Sequence, residues 1–261
     1  MGEYGTLELP LLRERQARTM DYLRGADVQF SAVFERIMRH TFAYADPLCA
    51  SLVLWACDAC GGDSQTAVPV AASVECLYRF SVLHDELQMT PTLSFERETT
   101  SSIWGLAQTL NAGDAFHALG LGLLAKDAVH RERVLDVGLV LAHAVLHGVE
   151  QRNRLIRASA RVRGQRRLRV ACAGTHPSML ALSLRAGAMM AGASPQVIEL
   201  LARAGRLLGA VTQLASQAGG ASSPAAGRYA AKAVALVEGS SLDPIYRAEF
   251  KEIAYELAAG R

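Results

Sequence analysis

The stretch Val68–Gln88, VPVAASVECLYRFSVLHDELQ, constrains the fold more than any other part of the chain. Val74, Leu77, Tyr78, Val82 and Leu83 recur three and four residues apart, the period of a helix with one buried face. Glu75 and Arg79 share one flank, a turn apart, and the last turn gathers His84, Asp85 and Glu86. Two adjacent carboxylates at the end of a buried helix are costly, because desolvation and like charge both resist ionisation. Such a pair calls for a nearby cation, a hydrogen-bonding partner or water at a cavity mouth; otherwise it is a solvated helix end.

Around this helix the chain reads as helix after helix. Helical periodicity covers 11–23, 28–41, 46–59, 65–88, and 99–110 continuing through Asn111-Ala112-Gly113-Asp114 to Lys126. It resumes over 131–155, 161–173, 177–193, 195–217, 230–238 and 244–259. Gly61-Gly62 is a helix stop. Ser194-Pro195 and Asp243-Pro244 are helix starts, with proline where no amide hydrogen is needed. Residues 89–94, which carry Pro91, and the small-residue run 219–227 read as loops. No strand-like alternation and no internal repeat is visible, so one all-α domain over 1–261 is the economical reading.

Composition agrees: 51% of the residues are hydrophobic and only 6% aromatic, which suits close helix packing better than a β-sandwich. The net charge of +2 provides no global field to recruit nucleic acid or a membrane surface. The first residues, MGEYGTLELPLLRER, are acidic where a signal peptide would be basic. The most apolar long run, 134–149, contains Asp136, His143 and His147, so no transmembrane segment is expected. A cytoplasmic chain is the resulting expectation. Cys49, Cys57, Cys60, Cys76 and Cys172 are an odd set on apolar helical faces and read as reduced packing residues. Cys57 and Cys60 form a lone CxxC with no matching second pair, which argues against zinc.

The segment VECLYRFSVLHDELQ resembles the trans-isoprenyl diphosphate synthases, the polyprenyl synthetase family. There a Glu is followed by a Ser-Leu-Ile-His-Asp-Asp run. The register continues without a gap to Trp104-Gly105 and to Leu110-Asn111-Ala112-Gly113-Asp114, similar to the family's Phe-Gly and Ala-Gly-Asp. Residues 184–192 (LRAGAMMAG) and Leu208-Gly209 to Gln213 match two later small-residue stretches. The resemblance spans 45–217 and implies an isoprenoid-synthase-like helical bundle around a central apolar cavity. It also implies a chemistry in which Mg²⁺ ions, held between two facing Asp-rich motifs, draw diphosphate from an allylic substrate. The carbocation left behind is attacked by the double bond of isopentenyl diphosphate.

Most of the residues this chemistry needs are missing. Asp85 and Glu86 stand in the first Asp-rich motif, but its third acid falls on Met89 and the arginine pair on Ser94 and Phe95. The second motif falls on 214–220 (LASQAGG), which has no carboxylate. The clamp for isopentenyl diphosphate falls on 42–47 (FAYADP), with Asp46 where an arginine would be. The family's Lys-Thr pair falls near Thr175 and His176, and its Gln-x-x-Asp on 151–154, ending on Arg154. Losing one transition-state contact typically costs 10²- to 10³-fold in rate, and here one whole wall is gone. No Mg²⁺ cofactor and no ordinary chain elongation are expected.

Three functions fit a retained fold with a dismantled site. The first is a non-catalytic or regulatory subunit, as a homodimer or as a heterodimer with an active prenyl diphosphate synthase; 134–149 is then an interface helix or, residue by residue, core. The second is a metal-independent cyclase or transferase acting on a hydrophobic isoprenoid-type ligand. It would use Asp85, Glu86 and His84 as acid–base groups beside Gln88, with Glu150, Gln151, His147 and His176 facing them and Gln213 also touching substrate. His143 and His147, one turn apart, lack a visible third metal ligand. The third is a carrier of a hydrophobic ligand. Eight arginines between Arg152 and Arg169 make a local positive field, read as a solvated face or as a docking site for an acidic or diphosphate-handling partner. No aromatic interleaving accompanies them, so nucleic acid is not expected.

Overall fold

The computed structural model describes residues 10–26, 30–43, 47–88, 93–94, 97–126, 130–159, 175–217 and 223–260. Within them helices succeed one another. They are α1 (Pro10–Arg24), α2 (Ala32–Ala43), α3 (Leu48–Ala59), α4 (Val68–Gln88), α5 (Thr100–Ala125), α6 (Arg131–Ser159), α7 (Thr175–Ala191), α8 (Pro195–Gln217), α9 (Pro224–Glu238) and α10 (Pro244–Ala259). The all-α reading holds apart from one small hairpin, β1 (Leu93–Ser94) against β2 (Arg97–Glu98), in a stretch with no strand-like pattern.

Helix boundaries follow local chemistry. Asp243 Oδ1 accepts from the Ile245 amide at 2.9 Å, and Pro244 opens α10 as its sequence suggests. One boundary differs from expectation. Ser223 Oγ accepts from the Ala226 amide and Pro224 takes the first helical position, so α9 starts at 224 rather than 230. The cap outweighs the weak core pattern of Ala225, Ala226 and Gly227. The helix expected over 161–173 lies outside the described residues.

Two helices form the interior. α3 is buried from Leu48 to Cys57, and α4 is buried on all sides from Val70 to Ser81 rather than on one face. Ala72 and Ser73 occupy the side that the apolar period of α4 leaves open, and their small size lets neighbours close over it. α7 packs on α3, α6 and α8, and α8 packs in turn on α9 and α10. Gly187 shows how closely α7 approaches α3: a Cβ there would stand 2.1 Å from the Val53 carbonyl oxygen.

α6 has two apolar faces. Val134, Val137 and Leu141 enter the core, whereas Leu135, Leu139 and Leu146 are exposed at 68%, 58% and 67%. The core reading of 134–149 is therefore right for one face only. By length and composition alone, Arg131–Arg154 is apolar enough to cross a membrane, because the second face adds leucines that the core does not use, but this one helix is no clear transmembrane span.

Candidate functional site

The last turns of α4 carry the surviving acidic pair, and each acid is met by a different helix. Asp85 accepts a hydrogen bond of 2.5 Å from Nε of Arg152 on α6. Arg152 is 8% exposed, and its Nη2 also donates to the Ser81 carbonyl one turn earlier. The cation that Asp85 requires is thus a guanidinium. Glu86 Oε2 accepts from the Thr100 amide at 2.9 Å, while Thr99 Oγ1 accepts from Ser102. Glu86 therefore sits at the N-terminus of α5, where unpaired amides and the helix dipole favour an anion.

His84 turns towards α5. Its Nε2 lies 3.4 Å from Asp114 Oδ1, and its ring stacks on Phe80, with centroids 4.5 Å apart. Gly113 makes this possible: a Cβ there would fall 2.5 Å from the imidazole. Burial pushes the His84 imidazole below its usual range; Asp114 opposes the shift and Arg152 adds to it. The side chain is held as a neutral ring between two helices.

Deeper in α4, Glu75 and Arg79 form an ion pair of 2.6 Å at 0% and 3% exposure. Glu75 accepts from the Ala50 amide at the start of α3. Arg79 donates to the Thr41 carbonyl at the end of α2 and lies over the Phe42 ring. Sequence reasoning placed both residues on a flank of α4 and missed the pairing. Their i, i+4 spacing was the available signal.

The residues read as a facing wall are elsewhere. His147 and Gln151 are exposed and hydrogen-bonded to each other at 2.8 Å, and Glu150 pairs with Arg154 in solvent. His143 is exposed as well. The α6 residue that reaches α4 is Arg152, on the opposite side of the helix from His147 and Glu150. The facing acid–base group is corrected accordingly: a 3.6-residue period shows which residues share a face, not which face of a two-faced helix turns inward. Gln213 and Ser216 on α8 are half-buried. Gln88 ends α4 and His176 lies in the first turn of α7; their side chains are outside the described residues.

The acids at the end of α4 already have partners. Asp85 and Glu86 are committed to Arg152 and to the α5 amides. Among the described residues no three His, Cys, Asp or Glu side chains gather to hold an ion. Burial raises the thiols of Cys57 and Cys60 to about 12 and 11. The arginines from 161 to 169 lie outside the described residues.

The polyprenyl synthetase family model matches residues 32–216. The chain belongs to the polyprenyl synthetase family. Among curated relatives, the (2E,6E)-farnesyl diphosphate synthase of Mycobacterium bovis is 32% identical over 173 residues, 63% of this chain and 45% of that enzyme. The chain spans less than half the length of the curated relatives it matches. Among solved structures, the geranylgeranyl pyrophosphate synthetase of the archaeon Geoglobus acetivorans has a TM-score of 0.81 at 16% identity, covering 95% of this chain and 99% of that one. The geranyl diphosphate synthase small subunit of Antirrhinum majus has a TM-score of 0.74 at 21% identity, covering 92% and 95%. These likenesses show the isoprenoid-synthase fold.

Proposed function

We propose that this polyprenyl synthetase is a non-catalytic subunit that pairs with an active prenyl diphosphate synthase chain and binds no Mg²⁺ of its own. The observation that carries the reading is the Asp85–Arg152 pair, which puts a fixed guanidinium against the first acid of the surviving motif. A divalent ion at Asp85 would have to displace a buried arginine, and Glu86 would have to leave the α5 N-terminus. The absence of carboxylates from 213–217 removes the opposing ligands. A magnesium cluster built from hard oxygen donors has nothing to hold it.

Two further observations support a subunit role. Apolar side chains stay exposed along α5 (Leu106, Leu110, Leu121) and α6 (Leu135, Leu139, Leu146), as helices of a subunit interface would before assembly. A structural neighbour is by name a small subunit of a geranyl diphosphate synthase.

The test is incubation of the purified chain with labelled allylic diphosphate, isopentenyl diphosphate and Mg²⁺, alone and mixed with an active synthase. The expected result is no product from the chain alone and a changed rate or product length in the mixture. Product from the chain alone that stops on chelation of Mg²⁺ overturns the proposal.

A further inference from the structure

The hairpin of α7 and α8 gathers positive charge that neither the core nor the end of α4 uses. Apart from His176, its ionisable side chains are Arg185, Glu199, Arg203 and Arg206. Glu199, Arg203 and Arg206 follow at four- and three-residue steps, so they share one stripe of α8, and all three are exposed. The two helices lie close: a Cβ on Gly205 would stand 2.5 Å from the Ala181 Cα. Arg185 stands one turn from Ala181, towards the connection between the helices, and is half-buried.

One acid serves three guanidinium groups. Arg206 Nη2 donates to Glu199 Oε1 at 2.8 Å. That hydrogen bond holds the Glu199 carboxyl below its usual range, and the charges of Arg206, Arg185 and Arg203 deepen the shift. Arg185 and Arg203 are therefore close to the same carboxylate, yet neither has a hydrogen bond or ion pair among the described residues. Arg185 Nε is buried without an acceptor. A guanidinium nitrogen that loses water and gains no acceptor is held at a cost, and two like charges beside it add to that cost. An anion that bridges the arginines removes both. Their planar forks of N–H donors suit phosphate oxygens, which accept parallel hydrogen bonds.

We infer that Arg185 and Arg203, with Arg206 at the rim, form an oxyanion site that takes the phosphate group of a small solute. Arg185 contributes from α7 and Arg203 from α8, while Glu199 and the ligand compete for Arg206. Arg203 lies about 20 Å along the axis of α8 from Ser216, where the second metal-binding motif of the family falls. The site needs no metal and no reaction, so it stands apart from the proposed function. Product formed by the chain alone overturns that function and leaves this site as it is; failure of phosphate to bind does the reverse.

Isothermal titration calorimetry of the full chain with inorganic phosphate tests it, against sodium chloride at matched ionic strength. Saturable binding is expected at about 1 mM, and glycerol phosphate is expected to compete. Arg185→Gln and Arg203→Gln each weaken binding about tenfold, with the circular-dichroism helix signal unchanged. Arg203→Lys keeps the charge, loses the fork and weakens binding less than Arg203→Gln. Glu199→Gln frees Arg206 and tightens binding about threefold. Arg24→Gln, at an exposed arginine of α1, leaves it unchanged. Heats that match those of chloride, binding that survives Arg185→Gln and Arg203→Gln together, or no gain from Glu199→Gln overturns the proposal. So does capture of a polyglutamate peptide that phosphate fails to displace, since the surface would then serve an acidic protein.

Discussion

The last turns of α4 and of α8 carry the two places where this family's metal-binding motifs fall, and they hold very different things. At α4, Asp85 holds α6 through Arg152, Glu86 holds the start of α5, and His84 fills the gap that Gly113 leaves. At α8, Thr212 donates to the Gly209 carbonyl of its own helix, and Gln213 and Ser216 are half-buried. The acids persist where they pin neighbouring helices. At the α4 end, Asp85 and Glu86 join α4 to α6 and to α5.

Substitutions at the two ends sharpen that contrast. Arg152→Ala strands a half-buried Asp85 and detaches α6 from α4; denaturant titration is expected to show a loss of about 3 kcal/mol. If the loss is negligible, the joint is decorative. A pH titration probes the same joint more gently. Burial lowers the His84 pKa in the folded state, so unfolding takes up a proton there. The stability this residue contributes is fully present above the ordinary imidazole range, about 6.5, and is lost as pH falls through it. His84→Gln flattens that part of the profile, measured as melting temperature against pH. Glu86→Gln removes an anion from the α5 N-terminus and costs about 1 kcal/mol. At the other end, Ser216→Ala and Gln213→Ala shift stability by no more than about 0.5 kcal/mol. Ser216→Asp is expected to bring no Mg²⁺-dependent rise in melting temperature, because one added carboxylate leaves Asp85 with its arginine.

The helical class, the course of α4 and the start of α10 were legible because each rests on local signals: apolar period, capping side chain, proline position. The joint was not. Arg152 stood in the sequence as one of eight arginines in a basic run, and nothing local marks it as entering the interior. α6 failed to reveal its inward side for a related reason. Val134, Val137 and Leu141 share one period, and Leu135, Leu139 and Leu146 share another a residue away. Both satisfy an amphipathic pattern, and only the neighbouring helices choose between them. That 214–220 carries no carboxylate is plain from the sequence. At Asp85 and Glu86 the residues are present, and their commitment elsewhere became visible only in three dimensions.

The Glu75–Arg79 pair fastens the last residues of α2 and the first turn of α3 to a single turn of α4. For α2 to peel away, a charged couple would have to separate inside an apolar interior, where water is not at hand to receive it. Amide hydrogens at the end of α2 are therefore expected to exchange with solvent about as slowly as those of α4, although α2 lies at the periphery. Three helices joined in this way unfold as one cooperative block, and a ligand or subunit that pulls on any of them acts on all three.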